Sequence, residues 1–466
     1  MHILVLNGSP AGENSITLCT VRFIEKRFPG CTMEILHAGQ RIRSIEKDFA
    51  PVLDALGRAE LILFCYPVYT FLAPAQLHRL IELIKASGAD LSGKYAAQIT
   101  TSKHFYDVTA HRFIRDNCDD MGLKYVGGLS ADMDDLLTEK GRNEAEAFFR
   151  RVLWKMEQGL SEPPFYPPAG PREAPAEEEE TAALAGTGGE PGRVVIVTAL
   201  PKDRPSRLPA MISAFRAALP CSSSVVNLEE FPFAGGCLGC FHCAADGTCV
   251  YRDGFDTFLR GSIQSADAIV YAYTVQDHSM GSRFKLYDDR QFCNGHRTVT
   301  MGKPVAYLVE GSLRDEPNLI MVMEARAQVG GNELCGVACT ETEAEQTARR
   351  LMYALEHPST QPPNFYGVGG MKIFRDLIYQ MRGLMREDHR FYWKHGFYDF
   401  PQKRRGRILG MYAAGAMMRS EWLRRRVGSR MTEGMLLPYR RVLDRARPDE
   451  GAGKEDSRDN GTGKPV

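Results

Sequence analysis

The stretch HILVLNGSPAGENSIT, residues 2–17, decides the fold. Its first part, HILVL, is a near-continuous apolar run, the pattern of a strand buried on both faces in a parallel sheet covered by helices. Asn7 and Gly8 break the run, and Ser9, Ser15 and Thr17 place hydroxyls around the start of a helix expected over 15–28. The N-terminus of that helix offers unpaired N–H groups and the positive end of a dipole, a setting in which a phosphate binds. The loop is not a Walker loop, because the Gly-Lys-Ser/Thr ending is missing. For any one of these residues the plain alternative is a helix cap.

Outward from this stretch, strands alternate with helices. Strands are expected at 32–36, 60–66 (ELILFCY), 95–101 (YAAQITT) and from 124 (KYVGGLS), with helices at 45–57, 76–86, 107–121 and 139–158. Residues 160–192 then combine prolines, glycines and a glutamate run, the composition of a flexible linker. Beyond it the same grammar returns: strand 193–199, helix 206–219, strand 223–228, helix 254–265, and strands 267–273, 304–310 and 333–339. The order predicts two α/β domains, residues 1–159 and 193–360, each with helices on both faces of a parallel sheet. A basic helical extension at 361–448 and a disordered tail at 449–466 complete the expected division.

Lys plus Arg equals Asp plus Glu over the 466 residues, so net charge argues for no nucleic-acid partner. The charge is unevenly placed, however: residues 364–448 hold 19 Lys/Arg against 7 Asp/Glu, and the rest of the chain is acidic by the same excess. The longest apolar run, ILGMYAAGAMM at 408–418, falls short of the ~18 residues of a membrane span. Twelve cysteines without a secretory leader fit a reducing, cytoplasmic setting.

Four of the cysteines, Cys237, Cys240, Cys243 and Cys249, fall within CLGCFHCAADGTC. No packing requirement asks for such density, and C-x2-C-x2-C lets one tight loop present three thiolates to a cluster that a fourth completes. The run resembles the ferredoxin spacing but ends with a five-residue gap and Val250 in place of Pro. A [4Fe-4S] cluster is the expectation; zinc or a redox thiol pair are the alternatives.

The first loop is similar to that of the flavodoxin-like NADPH-dependent FMN reductases, close to GSPRxxSNT, with Gly8, Ser9, Pro10, Ser15 and Thr17 matching and Ala11 and Ile16 departing. CYPVYTFLAPAQ at 65–76 is similar to the family's PxY loop, and TTSKHFYD at 100–107 falls where the family closes over the flavin. The resemblance implies two flavodoxin-like doubly wound five-stranded sheets, which hold ligands outside the carboxyl ends of their strands. It also implies FMN held by Ser9, Pro10, Ser15, Thr17, Pro67, Val68, Tyr69, Thr70, Phe71, Thr101 and Ser102. In the second domain Thr274, Val275 and Gln276 replace Pro-Val-Tyr and no Gly–Ser opens the first loop, while Met280, Ser282, Lys285 and Asp289-Arg290 are kept. That domain therefore reads as one that has lost or loosened its flavin. Its cysteine loop resembles that of the iron–sulfur flavoproteins, a branch of the same fold.

The resemblance implies an oxidoreductase with NAD(P)H as donor, FMN exchanging electrons with the cluster, and a small molecule or protein as redox partner. Such reductases pair, so an internal pseudo-dimer or a homo-oligomer is expected. A non-catalytic flavin-binding carrier or sensor with a degenerate or zinc-stabilised second domain is the other class.

Overall fold

The computed structural model describes residues 1–164, 193–201, 205–244, 246–358, 361–417 and 419–422. Most of the expected linker, the tail and the distal part of the basic extension lie outside the described residues. The first domain runs β1 His2–Asn7, α1 Ile16–Arg27, β2 Thr32–Leu36, α2 Ala38–Lys47, α3 Ala50–Arg58, β3 Leu61–Pro67, α4 Ala75–Ala86, β4 Tyr95–Ser102, α5 Asp107–Asp120, β5 Lys124–Asp132 and α6 Glu139–Glu157. The second runs β6 Val194–Thr198, α7 Leu208–Ala217, β7 Ser223–Asn227, α8 Phe255–Phe258, β8 Ala268–Thr274, α9 Gly281–Arg290, β9 Pro304–Glu310, α10 Pro317–Gly330, β10 Glu333–Ala338 and α11 Glu341–Glu356. Helices α12 Phe365–Gln380 and α13 Arg386–Lys394 follow.

Each domain is a five-stranded, all-parallel sheet, ordered β2-β1-β3-β4-β5 and β7-β6-β8-β9-β10. The two orders are identical element for element, the doubly wound flavodoxin-like pattern with its switch point between the first and third strands. The apolar run of β1 is used on both faces. Ile3 and Val5 pack with Leu18, Val21 and Phe149 of α1 and α6, while Leu4 and Leu6 join Leu77, Leu80 and Ile81 of α4. In β6, Val194 and Ile196 pack with α7 and α11, and Val195 and Val197 face the opposite side.

Two expected helices are each split. The one at 45–57 is α2 and α3, because Pro51 at the start of α3 cannot continue the preceding helix. The one placed at 370–387 is α12 and α13, parted by a turn at 381–385. Helix α9 has no apolar periodicity in the sequence, because its buried residues include Lys285, Asp288, Asp289 and Arg290. The described part of the extension meets both domains. Helix α12 packs on α10, while Phe374 stacks on Phe105 of the first domain at 4.1 Å and Tyr106 Oη donates to Tyr366 O at 2.6 Å. From Tyr398 the chain forms a separate unit with one described α-helix, α14 Arg405–Met417. No described helix is long and apolar enough to cross a membrane.

The two domains share one apolar core, in which α4 meets its counterpart α9 and α5 meets its counterpart α10. Polar groups lock the seam. Lys285, fully buried on α9, pairs with Asp289 and donates to Tyr69 O (3.0 Å) and Thr70 Oγ1 (2.7 Å) of the first domain. Asp289 accepts from Thr70 Oγ1 (2.7 Å) and Ala75 N (2.8 Å). Ser282 donates through N and Oγ to Glu82. At the far end His278 bridges Asp120 and Glu316 at 3.0 Å each, and Lys85 joins Asp120 to Asp277.

Removing one partner of a buried pair leaves an uncompensated charge, so Asp289→Ala should destabilise unit 1 by about 3–5 kcal/mol in urea denaturation. His278 gives a pH signature. Although burial alone would lower its pKa, hydrogen bonds to Asp120 and Glu316 raise it from 6.5 to about 9. A raised folded pKa contributes stability that is complete below about 6.5 and lost as pH rises through about 9, here up to about 3 kcal/mol. Thermal melts from pH 6 to 9.5 should fall more steeply for the native chain than for His278→Ala.

Candidate functional site

Three loops leave the carboxyl ends of β1, β3 and β4, and the structure brings most of the expected residues there together. After β1, Asn7 organises the turn: its Oδ1 accepts from Ser9 N (3.1 Å) and its Nδ2 donates to Gly12 O (3.0 Å). Ser9 Oγ accepts from Ala11 N, and Ser15 caps α1 by accepting from Leu18 N. Ser15 is thus a cap, and Ser9 closes its own loop. Thr17 instead reaches across to Thr101, Oγ1 to Oγ1, at 2.6 Å. The N–H groups of Ile16 and Thr17, at the mouth of α1, have no acceptor among the described residues. Helix α2 closes on the loop from above, so near that a Cβ at Gly39 would lie 2.3 Å from Gly8 O.

The loop after β3 is a tight turn in which Tyr69 and Leu72 exchange backbone hydrogen bonds (2.8 and 3.0 Å). Thr70 (φ 39°) and Phe71 (φ 73°) occupy its two left-handed positions. This is strained backbone for side-chain-bearing residues, of a kind that clusters at ligand clamps. Neither Thr70 N–H nor Phe71 N–H has an acceptor among the described residues. Val68 N donates to Thr101 O (3.2 Å), tying this turn to β4, and Ser102 Oγ accepts from His104 N. Pro10 lies on the opposite side of the β1 loop, bordering an interdomain cleft.

The groups present suit FMN. Free N–H donors at a helix mouth beside two hydroxyls fit a phosphate, and two free N–H groups on a rigid turn fit the carbonyl-bearing edge of a flavin ring. Both domains supply the walls. Tyr69 meets Phe292 edge-on at 5.6 Å, and Phe71 packs with Phe105 and Tyr106. The cysteine loop lies directly against Tyr69: a Cβ on Gly239 (φ 62°) would lie 2.0 Å from Tyr69 Oη, so this position admits only glycine. The base of that loop is held by Arg290, which binds Asp253 through two bonds of 2.8 Å, donates to Gly235 O and sits over the rings of Tyr251 and Phe255.

The four thiols themselves do not meet the expectation placed on them. No group of three or more His, Cys, Asp or Glu side chains among the described residues is arranged to hold a metal ion. Cys243 donates to Phe292 O at 3.1 Å, Cys237 accepts from Gly239 N at 3.5 Å, and Cys240 is exposed. Burial pushes the Cys237 thiol well up and the Cys243 thiol to about 11. A [4Fe-4S] cluster or zinc at this loop therefore rests on the cysteine spacing and not on the arrangement of the described side chains.

Sequence reading also assigned Lys285 and Asp289 to the second domain's own pattern. Their polar contacts run to the first domain's turn, and the signal that could have revealed this was an i, i+4 charge pair in a segment with no apolar stripe to explain it.

The thiols provide a check. Of the twelve cysteines only Cys19 and Cys240 are exposed, so a thiol reagent at pH 7.5 followed by peptide mapping should label these two first and the buried Cys65, Cys118 and Cys293 only on unfolding. Protection of Cys240 by added iron or zinc would show the loop reorganising around a metal.

Residues 1–127 match the family described as NADPH-dependent FMN reductase. No curated protein matches significantly. Among solved structures the chain is similar to an FMN-dependent NADH-azoreductase from Bacillus anthracis (12% identity, 32% of this chain and 98% of that one, TM-score 0.28). It is also similar to an NAD(P)H:quinone oxidoreductase from Methanothermobacter marburgensis (16%, 34% and 96%, 0.27) and a flavodoxin from Pseudomonas aeruginosa (16%, 34% and 99%, 0.25). The match lies within the first domain and supports an oxidoreductase whose first domain is similar to the NADPH-dependent FMN reductases.

Proposed function

We propose that the whole chain is an FMN-dependent NAD(P)H oxidoreductase with its flavin in the first domain, delivering electrons to a small-molecule or protein acceptor. The observation that carries the reading is the meeting of three loops at one edge within the matched residues. Thr17 and Thr101 bond to each other there, and four N–H groups, of Ile16, Thr17, Thr70 and Phe71, await acceptors. Ser9, Ser15 and Thr17 would surround the phosphate, and Pro67, Val68, Tyr69, Thr70, Phe71, Thr101 and Ser102 the ring, with Pro10 facing away toward the interdomain cleft. When bound, FMN accepts a hydride from a reduced nicotinamide and can release its electrons singly or in pairs.

The chain's own contribution is position and dryness. Lys285 and Asp289 hold the Tyr69–Leu72 turn in its strained form from the second domain, so the N–H groups are pre-aimed at no reorganisation cost. Tyr69, Phe292 and Gly239 close one wall, and Phe71, Phe105 and Phe374 another, excluding water from the ring edge. The cysteine loop enters as a wall. Its spacing is the sole support for a metal centre, and no electron is routed through it.

The test is flavin analysis and NAD(P)H oxidation on the purified chain, with about one FMN per chain and FMN-dependent turnover expected. Gly39→Ala would push α2 off the β1 loop and should weaken FMN at least about tenfold, a cost of about 1.4 kcal/mol, while far-ultraviolet circular dichroism stays unchanged. A chain that takes up no FMN would overturn the reading.

A further inference from the structure

The carboxyl edge of the second sheet opens into a cleft of about 1130 Å³ between the domains. Its floor comes from Leu200 and Ser206 after β6 and from Tyr273–Asp277 after β8, and its opposite wall from α2 and α4 of the first domain. By the matching of elements this is the second domain's counterpart of the FMN site just described. We propose that the cleft is a second binding site, for a planar aromatic molecule with carbonyl acceptors and no phosphate, and that Glu310 is the residue that refuses phosphate. The comparison of the two edges rests on the reading of the first as an FMN site.

The ring-binding turn is retained. Gln276 and Ser279 exchange backbone hydrogen bonds at 2.9 and 3.0 Å, and Asp277 (φ 50°) and His278 (φ 62°) occupy the two left-handed positions, as Thr70 and Phe71 do. Val275 N donates to Glu310 O (2.8 Å) as Val68 N does to Thr101 O. The N–H groups of Asp277 and His278 have no acceptor among the described residues, and Gln276 and Asp277 line the cleft. Phe233, Tyr251 and Phe284 line it too, apolar faces suited to a flat ring.

The phosphate position is not retained. Strand register places Glu310 opposite Thr274 where Thr101 stands opposite Pro67. Its carboxylate accepts from Arg207 N (2.7 Å), Ser206 Oγ (2.6 Å) and Thr274 Oγ1 (2.6 Å), at the N-terminus of α7. The chain's own anion fills the place that the free N–H groups of α1 leave open in the first domain. A phosphate would have to displace it or lie beside it, like charge against like.

The cleft nonetheless holds groups that await a ligand. Gln76, about nine-tenths buried at 7% exposure, lines it with Oε1 unpartnered. Arg41 on the same wall has no hydrogen-bonding partner for its side chain among the described residues, and Arg43 meets only the carbonyls of Phe233 and Ala234. An unpaired buried amide oxygen is costly, and a donor on the ligand would relieve it.

The experiment uses the full chain saturated with FMN, titrated by calorimetry with riboflavin and, separately, with further FMN at fixed ionic strength. Riboflavin should bind with about one further equivalent, and additional FMN at least about tenfold more weakly. Glu310→Gln, checked for folding by its melt, should narrow that ratio while leaving riboflavin affinity unchanged. Gln76→Leu, which leaves α7 untouched, should weaken riboflavin several-fold. The proposal is overturned if riboflavin does not bind the saturated chain, if FMN binds the second site as tightly, or if neither variant changes its measured quantity. A chain that holds no FMN at all would defeat the first-domain reading, while the riboflavin titration would still report on the cleft.

Discussion

A lysine and an aspartate with no exposure to water, Lys285 and Asp289, hold the seam of this molecule together. Two charges buried on one helix cost desolvation energy that their mutual attraction alone does not return. The balance comes from neighbours across the seam: Tyr69 O, Thr70 Oγ1 and Ala75 N complete the hydrogen bonding. Helix α9 therefore cannot leave the first domain without exposing an unsatisfied ion pair, and the first domain's strained turn keeps its form only while α9 is there. Stability of the seam and geometry of the candidate flavin edge are one constraint. Arg290, the next residue, extends it to the cysteine loop through Asp253 and Gly235.

Two copies of one fold have diverged at corresponding points. Both keep the left-handed turn after the third strand, Tyr69–Leu72 and Gln276–Ser279. One uses free N–H groups at a helix mouth; the other fills the mouth with Glu310. One presents α2 to its partner's edge; the other presents the cysteine loop, pressed on Tyr69 at Gly239. Each half thus completes the other's edge with a different element, and this explains why the repeat is plain in strand order and faint in side chains.

Much of the fold was legible in the residues because the strands are buried on both faces. The runs ILVL at 3–6 and VVIV at 194–197 have no polar positions to confuse the period, and the loops following β1 and β3 announce themselves by Gly8, Pro67 and Tyr69. The misses have physical causes. Helix α9 carries buried charges in place of an apolar stripe, so no periodicity marked it. Pro51 divided a helix whose two halves looked continuous. Of the expected FMN residues, Thr17 and Thr101 meet directly, whereas Ser15 serves as a cap and Ser9 closes its own loop. The cysteine spacing suggested a metal centre, but among the described residues no ligand group is arranged for one: Cys243 donates to Phe292 O and Cys240 is exposed.

By itself the sequence determined the alternation of strand and helix, the parallel character of both sheets and the similarity of residues 1–127 to the NADPH-dependent FMN reductases. These follow from local pattern, since burial on both faces and loop chemistry are written in neighbouring residues. Only the tertiary structure decided which residues serve which site. Lys285 and Asp289 act some 215 positions away from the turn that they hold, and Glu310 acts on the start of α7 across 103 positions. Such assignments depend on how sheets register and helices cross. Charge pairs carry no periodic signal, and their partners appear only once the chain has folded back on itself.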